Sequence, residues 1–257
     1  HIRSVCDRFA EAGYSAVAPA VYDRIERDFE VGYSPDDIAA GREMKGKADW
    51  DDMVKDSRAA FRLLADEGKK VGIVGFCMGG TVAWLGATRI EGMAGAVGYY
   101  GGQITQFLDE TPGCPALLHF GEFDHGIPLT DVDKIRQAHP DVPVNIYPAD
   151  HGFNCDQRGS YHDDSAKTAC TTLNLSVEAA LEASPIFRTV SNKAMAALNC
   201  HVWSVEFIAR LSRRTCARHC CCFGCDMSIF SLMKIEPMIA AQGDWIMKNG
   251  PVSFSEE

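Results

Sequence analysis

Two hydrophobic periodicities alternate along residues 1–166 and predict helices that alternate with strands. Four apolar residues share one face of a first predicted helix: Ile2, Val5, Phe9 and Ala12. Apolar runs typical of buried strands lie at 15–19, 71–74, 94–100, 115–120 and 142–147. Helical patterns occupy 49–65, the stretch from residue 81 onwards, and 129–138. This alternation predicts an α/β fold with a mostly parallel, doubly wound sheet, in which sites lie at the carboxyl ends of the strands.

Residues 22–48 carry mixed charge with little periodicity, and we predict an excursion over the active-site face. Five basic residues lie in this part: Arg24, Arg27, Arg42, Lys45 and Lys47. A substrate carboxylate and the solvent are the alternative partners for these charges. Asp49 is the predicted N-cap of the helix that follows, since its carboxylate can accept from backbone N–H groups of the first turn.

The segment 75–80, Gly-Phe-Cys-Met-Gly-Gly, joins a predicted strand to a predicted helix. It has the pattern of a nucleophile elbow, with Cys77 in place of serine. Such a strained turn requires close backbone approach at Gly75 and Gly79. The helix N-terminus favours a thiolate, and the Met78 N–H is predicted to face a developing oxyanion. A phosphate cradle is disfavoured because the Walker-A and dinucleotide glycine spacings do not occur here, and an inert buried thiol is the other interpretation.

Two further strand ends carry the residue types that activate a cysteine nucleophile. Asp124 follows the 115–120 strand and His151 follows the 142–147 strand. The chain order Cys77, Asp124, His151 is the nucleophile, acid, base order of α/β-hydrolases. We predict that His151 takes the thiol proton and that Asp124 orients the imidazole and stabilises its cation.

Other residues near these strand ends compete for the same roles. Glu122 and Asp150 are alternative acids, because an aspartate at position 124 is also a common turn residue. His125 is an alternative base, although the adjacent Asp124 cannot easily orient it. The segment 139–141, His-Pro-Asp, resembles the His-Pro-Glu of class I glutamine amidotransferases, which also carry a Gly-x-Cys-x-Gly elbow.

Composition narrows the classes of partner. The net charge of −10 argues against nucleic acid and anionic membrane surfaces. No apolar run approaches the ~18 residues of a membrane span and no signal peptide is recognisable, so we expect a cytoplasmic protein. The eleven cysteines are unevenly spread, since residues 1–166 hold only Cys6, Cys77, Cys114 and Cys155.

Residues 1–166 resemble the dienelactone hydrolase (carboxymethylenebutenolidase) family in several segments. These are Gly75-Phe76-Cys77-Met78-Gly79-Gly80, the Tyr99-Tyr100-Gly101 strand end, Asp124 with Pro128, His151-Gly152-Phe153-Asn154, His1-Ile2-Arg3, and Ala18-Pro19 with Tyr22. The resemblance implies an α/β-hydrolase fold and the opening of a lactone or small carboxylic ester through a thioester at Cys77. It further implies a small-molecule substrate, a place in aromatic-compound degradation, and no cofactor or metal. We assign substrate contacts to Arg42, Phe76, Tyr100 and Phe153.

The chain departs from the family pattern at two places. Members carry an arginine shortly after the catalytic histidine, where this chain has Asn154-Cys155, and Arg158 is the nearest substitute. This puts dienelactone itself in doubt as the substrate. The family also has strands before the position of His1, so we expect an N-terminally incomplete domain in which Met78 is the only oxyanion donor that can be named.

Residues 167–257 differ in character and are predicted to be an atypical Cys-rich tail, poorly ordered or non-native. Zinc-ligand residue types crowd into one short stretch: Cys216, His219, Cys220, Cys221, Cys222 and Cys225. A structural zinc site uses two separated ligand pairs, which this stretch lacks. The sequence therefore leaves three hypotheses beside the hydrolase: an inactive hydrolase fold that only binds ligands, an amidotransferase, and a metal-binding or redox tail.

Overall fold

The computed structural model describes residues 1–12, 14–65, 70–170 and 230–235 of the 257-residue chain. Within these ranges one six-stranded sheet has the order β1-β6-β2-β3-β4-β5. Its strands are β1 Ser15–Val17, β2 Lys70–Phe76, β3 Gly95–Tyr99, β4 Ala116–Gly121, β5 Val144–Tyr147 and β6 Phe230–Ile235. The predicted strands in the first 166 residues are confirmed, and β2 to β5 pair in parallel as expected.

The helices of the described residues connect these strands. They are α1 Ile2–Glu11, α2 Pro35–Lys47, α3 Trp50–Ala65, α4 Met78–Arg89, α5 Leu129–Ala138 and α6, residues 163–170, with a short 3₁₀ helix at Gly102–Gln106. The predicted cap of α3 is confirmed, because the Asp49 carboxylate accepts from the N–H groups of Asp51 at 2.9 Å and Asp52 at 3.1 Å.

Helix α2 lies within the excursion predicted for residues 22–48 and was not itself predicted. The helix has no apolar stripe, so hydrophobic periodicity could not reveal it. A capping signal was nevertheless present: the Ser34 hydroxyl accepts from the Asp37 N–H, and the Asp37 carboxylate accepts from the Ser34 N–H. Pro35 occupies the first helical position, where its fixed φ suits a helix start.

Strand β6 comes from the segment predicted to be an atypical tail. It lies between β1 and β2 and is antiparallel to both, so the sheet is mixed at this side. The tail hypotheses that involve residues 171–229 and 236–257, including the zinc-ligand cluster, fall outside the described residues.

The core lies on both faces of the sheet and encloses α4. The helix carrying the elbow is buried around nearly its whole circumference, with Val82, Trp84 and Leu85 at 1% exposure or less. A helix enclosed in this way cannot shift against the sheet without breaking packing, so the turn at its start is held in a fixed position. No helix among the described residues combines the length and apolar character needed to cross a membrane.

Candidate active site

The turn between β2 and α4 holds Cys77 in a strained backbone conformation, with φ 55° and ψ −118°. A residue with a side chain rarely adopts positive φ, and such strain persists only where the surroundings enforce it. The Cys77 N–H donates to the carbonyl oxygen of Tyr99 at 2.9 Å, and the Cys77 carbonyl accepts from Gly80 N–H at 2.9 Å. These bonds anchor the turn to the end of β3 and to the first turn of α4.

Gly75 allows this turn to form. A Cβ atom at residue 75 would lie 1.8 Å from the carbonyl oxygen of Gly79, which no side chain could occupy. The predicted close backbone approach is therefore confirmed. Met78 is the first residue of α4, so its N–H has no acceptor within that helix, and its role as an oxyanion donor stays a prediction.

The carboxyl ends of three parallel strands bring Cys77, His151 and Asp124 together. The His151 Nε2 lies 3.1 Å from Cys77 Sγ, and the His151 Nδ1 lies 2.6 Å from Asp124 Oδ2. The other Asp124 oxygen accepts from the N–H groups of Gly126 at 2.8 Å and Ile127 at 3.1 Å. Asp124 is only 4% exposed, so these bonds fix its orientation and compensate its buried charge.

The charge on His151 is set by opposing effects. Burial by itself lowers the pKa of His151, but hydrogen bonds and charge interactions with Asp124 and Cys77 outweigh burial and raise that pKa to about 10. The imidazole therefore holds a proton near neutral pH, between a carboxylate and a sulfur that accommodates negative charge.

The loop that carries His151 is anchored through the backbone carbonyl of His151. That carbonyl accepts from the Ser160 hydroxyl at 2.7 Å and from the Arg158 guanidinium at 3.2 Å. Gly152 has φ +78°, and a Cβ at this position would meet the Arg158 side chain at 2.0 Å. The positive φ therefore favours glycine at this position, and the Arg158 guanidinium fills the space that a Cβ would take.

A cavity of about 360 Å³ opens above these residues and is lined by Cys77, His151 and Asp124. The guanidinium of Arg42 and the ammonium of Lys45, one helical turn apart on α2, also line it. Neither has a hydrogen bond or ion pair with another described residue. Both belong to the five basic residues of segment 22–48 for which a substrate carboxylate is one predicted partner, and the position of α2 brings these two to the cavity.

Of the three aromatic residues predicted to contact substrate, one lines the cavity. Tyr100 lines the cavity, and its ring centroid is 4.9 Å from that of His151. Phe153 is fully buried and packs on Tyr100 at 5.5 Å, and Phe76 is 7% exposed and stacks on Tyr99 at 4.9 Å. Neither phenylalanine lines the cavity described above, so their assignment to substrate binding stays a prediction.

The competing residues lie elsewhere or have other partners. Glu122 is exposed, and Asp150 accepts from the His151 N–H at 2.6 Å instead of contacting its ring. His125 is exposed at the cavity wall. His139 of the amidotransferase hypothesis is buried against Trp84, with 4.7 Å between ring centroids, and does not line the cavity.

A parallel sheet with a strained strand-to-helix turn at the carboxyl end of an inner strand defines a hydrolase of the α/β-hydrolase fold. The sequence profile of the dienelactone hydrolase family matches residues 1–175. The chain belongs to the dienelactone hydrolase family, which makes it a hydrolase of small molecules and confirms the family predicted from the sequence.

Several relatives have similar length and sequence. A "Putative carboxymethylenebutenolidase" of Synechocystis sp. is 37% identical over 188 residues, covering 66% of this chain and 76% of that protein. A Yersinia pestis protein of the same name is 35% identical over 184 residues, covering 65% and 68% of the two chains. The carboxymethylenebutenolidase of Pseudomonas putida is 32% identical over 190 residues, covering 65% of this chain and 75% of that protein.

Proposed function

We propose that this protein opens lactones or small carboxylic esters through a thioester on Cys77, with His151 as base and Asp124 as the group that orients it. The observation that carries the proposal is the continuous contact from Asp124 Oδ2 to His151 Nδ1 at 2.6 Å and from His151 Nε2 to Cys77 Sγ at 3.1 Å. These are hydrogen-bond distances between a nucleophile, its base and the residue that orients the base.

The first half-reaction starts from the pair in which His151 Nε2 holds the proton of the Cys77 thiol. The raised pKa of His151 favours this pair, and Asp124 balances the imidazolium charge. The thiolate then attacks the carbonyl carbon, whose oxygen becomes an oxyanion facing the Met78 N–H. Backbone N–H groups directed at such an oxyanion typically contribute ~10²–10³ in rate.

Collapse of the tetrahedral intermediate breaks the carbon–oxygen bond of the ester. His151 donates its proton to the departing alkoxide, which in a lactone stays attached as a hydroxyl at the far end of the acyl chain. The acyl group remains on Cys77 as a thioester. Water, deprotonated by His151, then attacks the thioester, and release of the Cys77 thiolate with a carboxylic acid completes the cycle.

The charge of the cavity favours a substrate that carries a carboxylate near the reacting ester. Arg42 and Lys45 are the cations of its wall that lack ion-pair partners among the described residues. An arginine recognises a carboxylate through two parallel hydrogen bonds, whereas a lysine contributes a compact charge. We therefore propose an anionic lactone or half-ester as the substrate class.

Acylation by an activated aryl ester tests the proposal. The protein is incubated with p-nitrophenyl acetate, quenched and digested, and the acyl group is located by mass spectrometry. We expect an acetyl group on the peptide containing Cys77 and loss of turnover in Cys77→Ala. Cys114→Ala, which removes a thiol outside the cavity, serves as the control and should retain activity. An unmodified Cys77 peptide in a protein that still turns over the ester would exclude Cys77 as the nucleophile.

A further inference from the structure

A second group of potential metal ligands lies away from the proposed catalytic residues. One ring nitrogen of His1, the sulfur of Cys155 and a carboxylate oxygen of Asp156 all lie within 4.8 Å of one another. The group joins the start of α1 to the loop that follows His151. Two of its members are buried: the His1 side chain is 7% exposed and Cys155 is 4% exposed.

Each of the three residues already has a polar contact in the structure. The His1 Nδ1 pairs with Asp156 Oδ1 at 3.1 Å, so this nitrogen faces the group. The other ring nitrogen, Nε2, is buried without a hydrogen-bond partner in the described part of the chain, and an ion bound at Nδ1 would not change that. The Cys155 thiol donates to the Tyr33 hydroxyl at 3.5 Å, and Arg8 donates to the second Asp156 oxygen at 3.2 Å.

We propose that His1, Cys155 and Asp156 bind a zinc ion. Imidazole nitrogen, thiolate sulfur and carboxylate oxygen are the three ligand types that zinc uses in proteins. Zinc–ligand bonds of ~2.0–2.3 Å in a tetrahedron place ligand atoms about 3.3–3.7 Å apart. The nitrogen–oxygen separation of 3.1 Å is already close to this value, and small side-chain movements bring the sulfur within range.

The charges of the ligands and of the ion cancel when zinc binds. Cys155 loses its thiol proton to solvent on binding, and the thiolate and Asp156 carboxylate together neutralise the two charges of the ion. Water or the nearby Tyr33 hydroxyl completes the coordination. Burial excludes competing solvent from the imidazole and sulfur, which strengthens the electrostatic attraction to the ion.

The site has a structural consequence for the proposed catalytic base. Cys155 and Asp156 follow His151 by four and five residues, and the Cys155 N–H donates to the Gly152 carbonyl at 2.9 Å. Zinc would therefore tie this loop to α1 without contacting the Cys77 sulfur. A ligand that binds only the folded state raises the free energy of unfolding in proportion to the logarithm of its concentration.

Metal titration of the 257-residue chain tests the proposal, with Co²⁺ as a spectroscopic probe and Zn²⁺ as a competitor. We expect the purified, chelator-treated protein to develop a thiolate-to-cobalt absorption band that zinc abolishes. Cys155→Ser should remove one bound equivalent and the corresponding band. Asp156→Asn keeps the side-chain volume at an exposed position and should weaken binding at least ~10-fold. Melting temperature, measured with and without zinc, provides a readout that is independent of activity.

Three control variants separate this site from other thiols. Cys114→Ser should bind as much metal as the parent, Cys222→Ser/Cys225→Ser reports any metal held by the Cys-rich segment, and Cys77→Ala reports metal at the proposed catalytic pair. The proposal is overturned if Cys155→Ser and Asp156→Asn both retain the parent's stoichiometry and affinity. It is also overturned if the parent binds no metal, which would leave only an ion pair between His1 and Asp156. Activity of the metal-stripped enzyme is a separate result that bears on the proposed function alone.

Discussion

The ring of Tyr100 lies against the imidazole of His151, with 4.9 Å between the two centroids and 55° between the planes. Tyr100 is 2% exposed and lies directly after β3. Its backbone φ of 39° is one that a tyrosine rarely adopts. An aromatic face attracts a cation, and near neutral pH the adjacent imidazole is positively charged. The contact therefore stabilises the charged form of the proposed base.

Replacing the ring of Tyr100 should slow the reaction. A cation–π contact contributes about 0.5–2 kcal/mol, so we expect Tyr100→Leu to lower kcat roughly 2–30-fold. Tyr100→Phe keeps the aromatic face and should stay close to the parent enzyme. Steady-state kinetics with an activated ester measures the difference. Equal losses in both variants would assign the effect to the hydroxyl and contradict a role for the ring.

The raised pKa of His151 predicts that the imidazole speeds the alkylation of Cys77. Because the imidazole keeps its proton up to about pH 10, a positive charge lies 3.1 Å from the Cys77 sulfur across the neutral range. That charge should favour reaction of the sulfur with iodoacetamide. In His151→Gln, which removes the charge, we expect the alkylation rate at neutral pH to fall about tenfold.

Peptide-resolved mass spectrometry measures this alkylation, and the same digest contains an internal control. Burial raises the pKa of the Cys114 thiol to about 11, so its peptide should remain unmodified across the neutral range in both proteins. Identical pH profiles for Cys77 in the parent and in His151→Gln would contradict the stabilising role of the imidazole.

Arg42 and Lys45, two of the three Arg and Lys residues that line the cavity, predict selectivity by charge. Arg42→Gln and Lys45→Gln should each raise KM about tenfold for a half-ester that carries a carboxylate, equivalent to ~1.4 kcal/mol of lost interaction. KM for a neutral ester of similar size should change little. Lys47→Gln makes the same change in charge on the same helix, but Lys47 pairs with Glu43 and does not line the cavity. If Lys47→Gln raised KM for the half-ester as much as Arg42→Gln and Lys45→Gln do, the effect would come from net charge at long range instead of direct contact.

Arg89 at the end of α4 predicts a stability effect outside the site. Its guanidinium donates to both oxygens of Glu110 and to Asp51, and it lies over the ring of Phe107 at 5.3 Å. The Arg89 and Glu110 side chains are 26% and 23% exposed, so solvent screens them only in part. We expect Arg89→Met to lower the free energy of unfolding by about 1–2 kcal/mol. Lys134→Met, which removes an exposed pair with Asp131, should change it by less than ~0.5 kcal/mol.

At acid pH the difference in the free energy of unfolding between the parent and Arg89→Met should disappear. The hydrogen bond from Arg89 lowers the pKa of Glu110 from its reference value of 4.5. A carboxyl whose pKa is lowered on folding contributes its full stability above the unfolded pKa and loses it as the pH falls through the lower, folded value. Urea unfolding at neutral pH and at about pH 3 therefore tests the pair. A constant difference at both pH values would show that Arg89 acts through packing alone.

The local sequence determined the elbow, the alternation of strands and helices, and the identity of the residues at the strand ends. These features follow from short-range physics: glycine permits the close approach at residue 75, and buried strands are continuous apolar runs. Parallel topology then directs Cys77, Asp124 and His151 to one edge of the sheet, whatever their separation along the chain.

Only the tertiary structure decided which side chains face the cavity and which lie beneath it. Phe153 and Tyr100 both follow strands of the sheet and are both almost completely buried, yet only Tyr100 lines the cavity. Helix α2 has no continuous apolar stripe, so its hydrophobic pattern does not reveal its orientation, and Lys45 reaches the site only through the position of that helix. The pairing of β6 with β1 and β2, like the meeting of His1 with Cys155, joins residues far apart in the chain. Such long-range contacts depend on the packing of the whole domain and leave no periodic signal in the sequence.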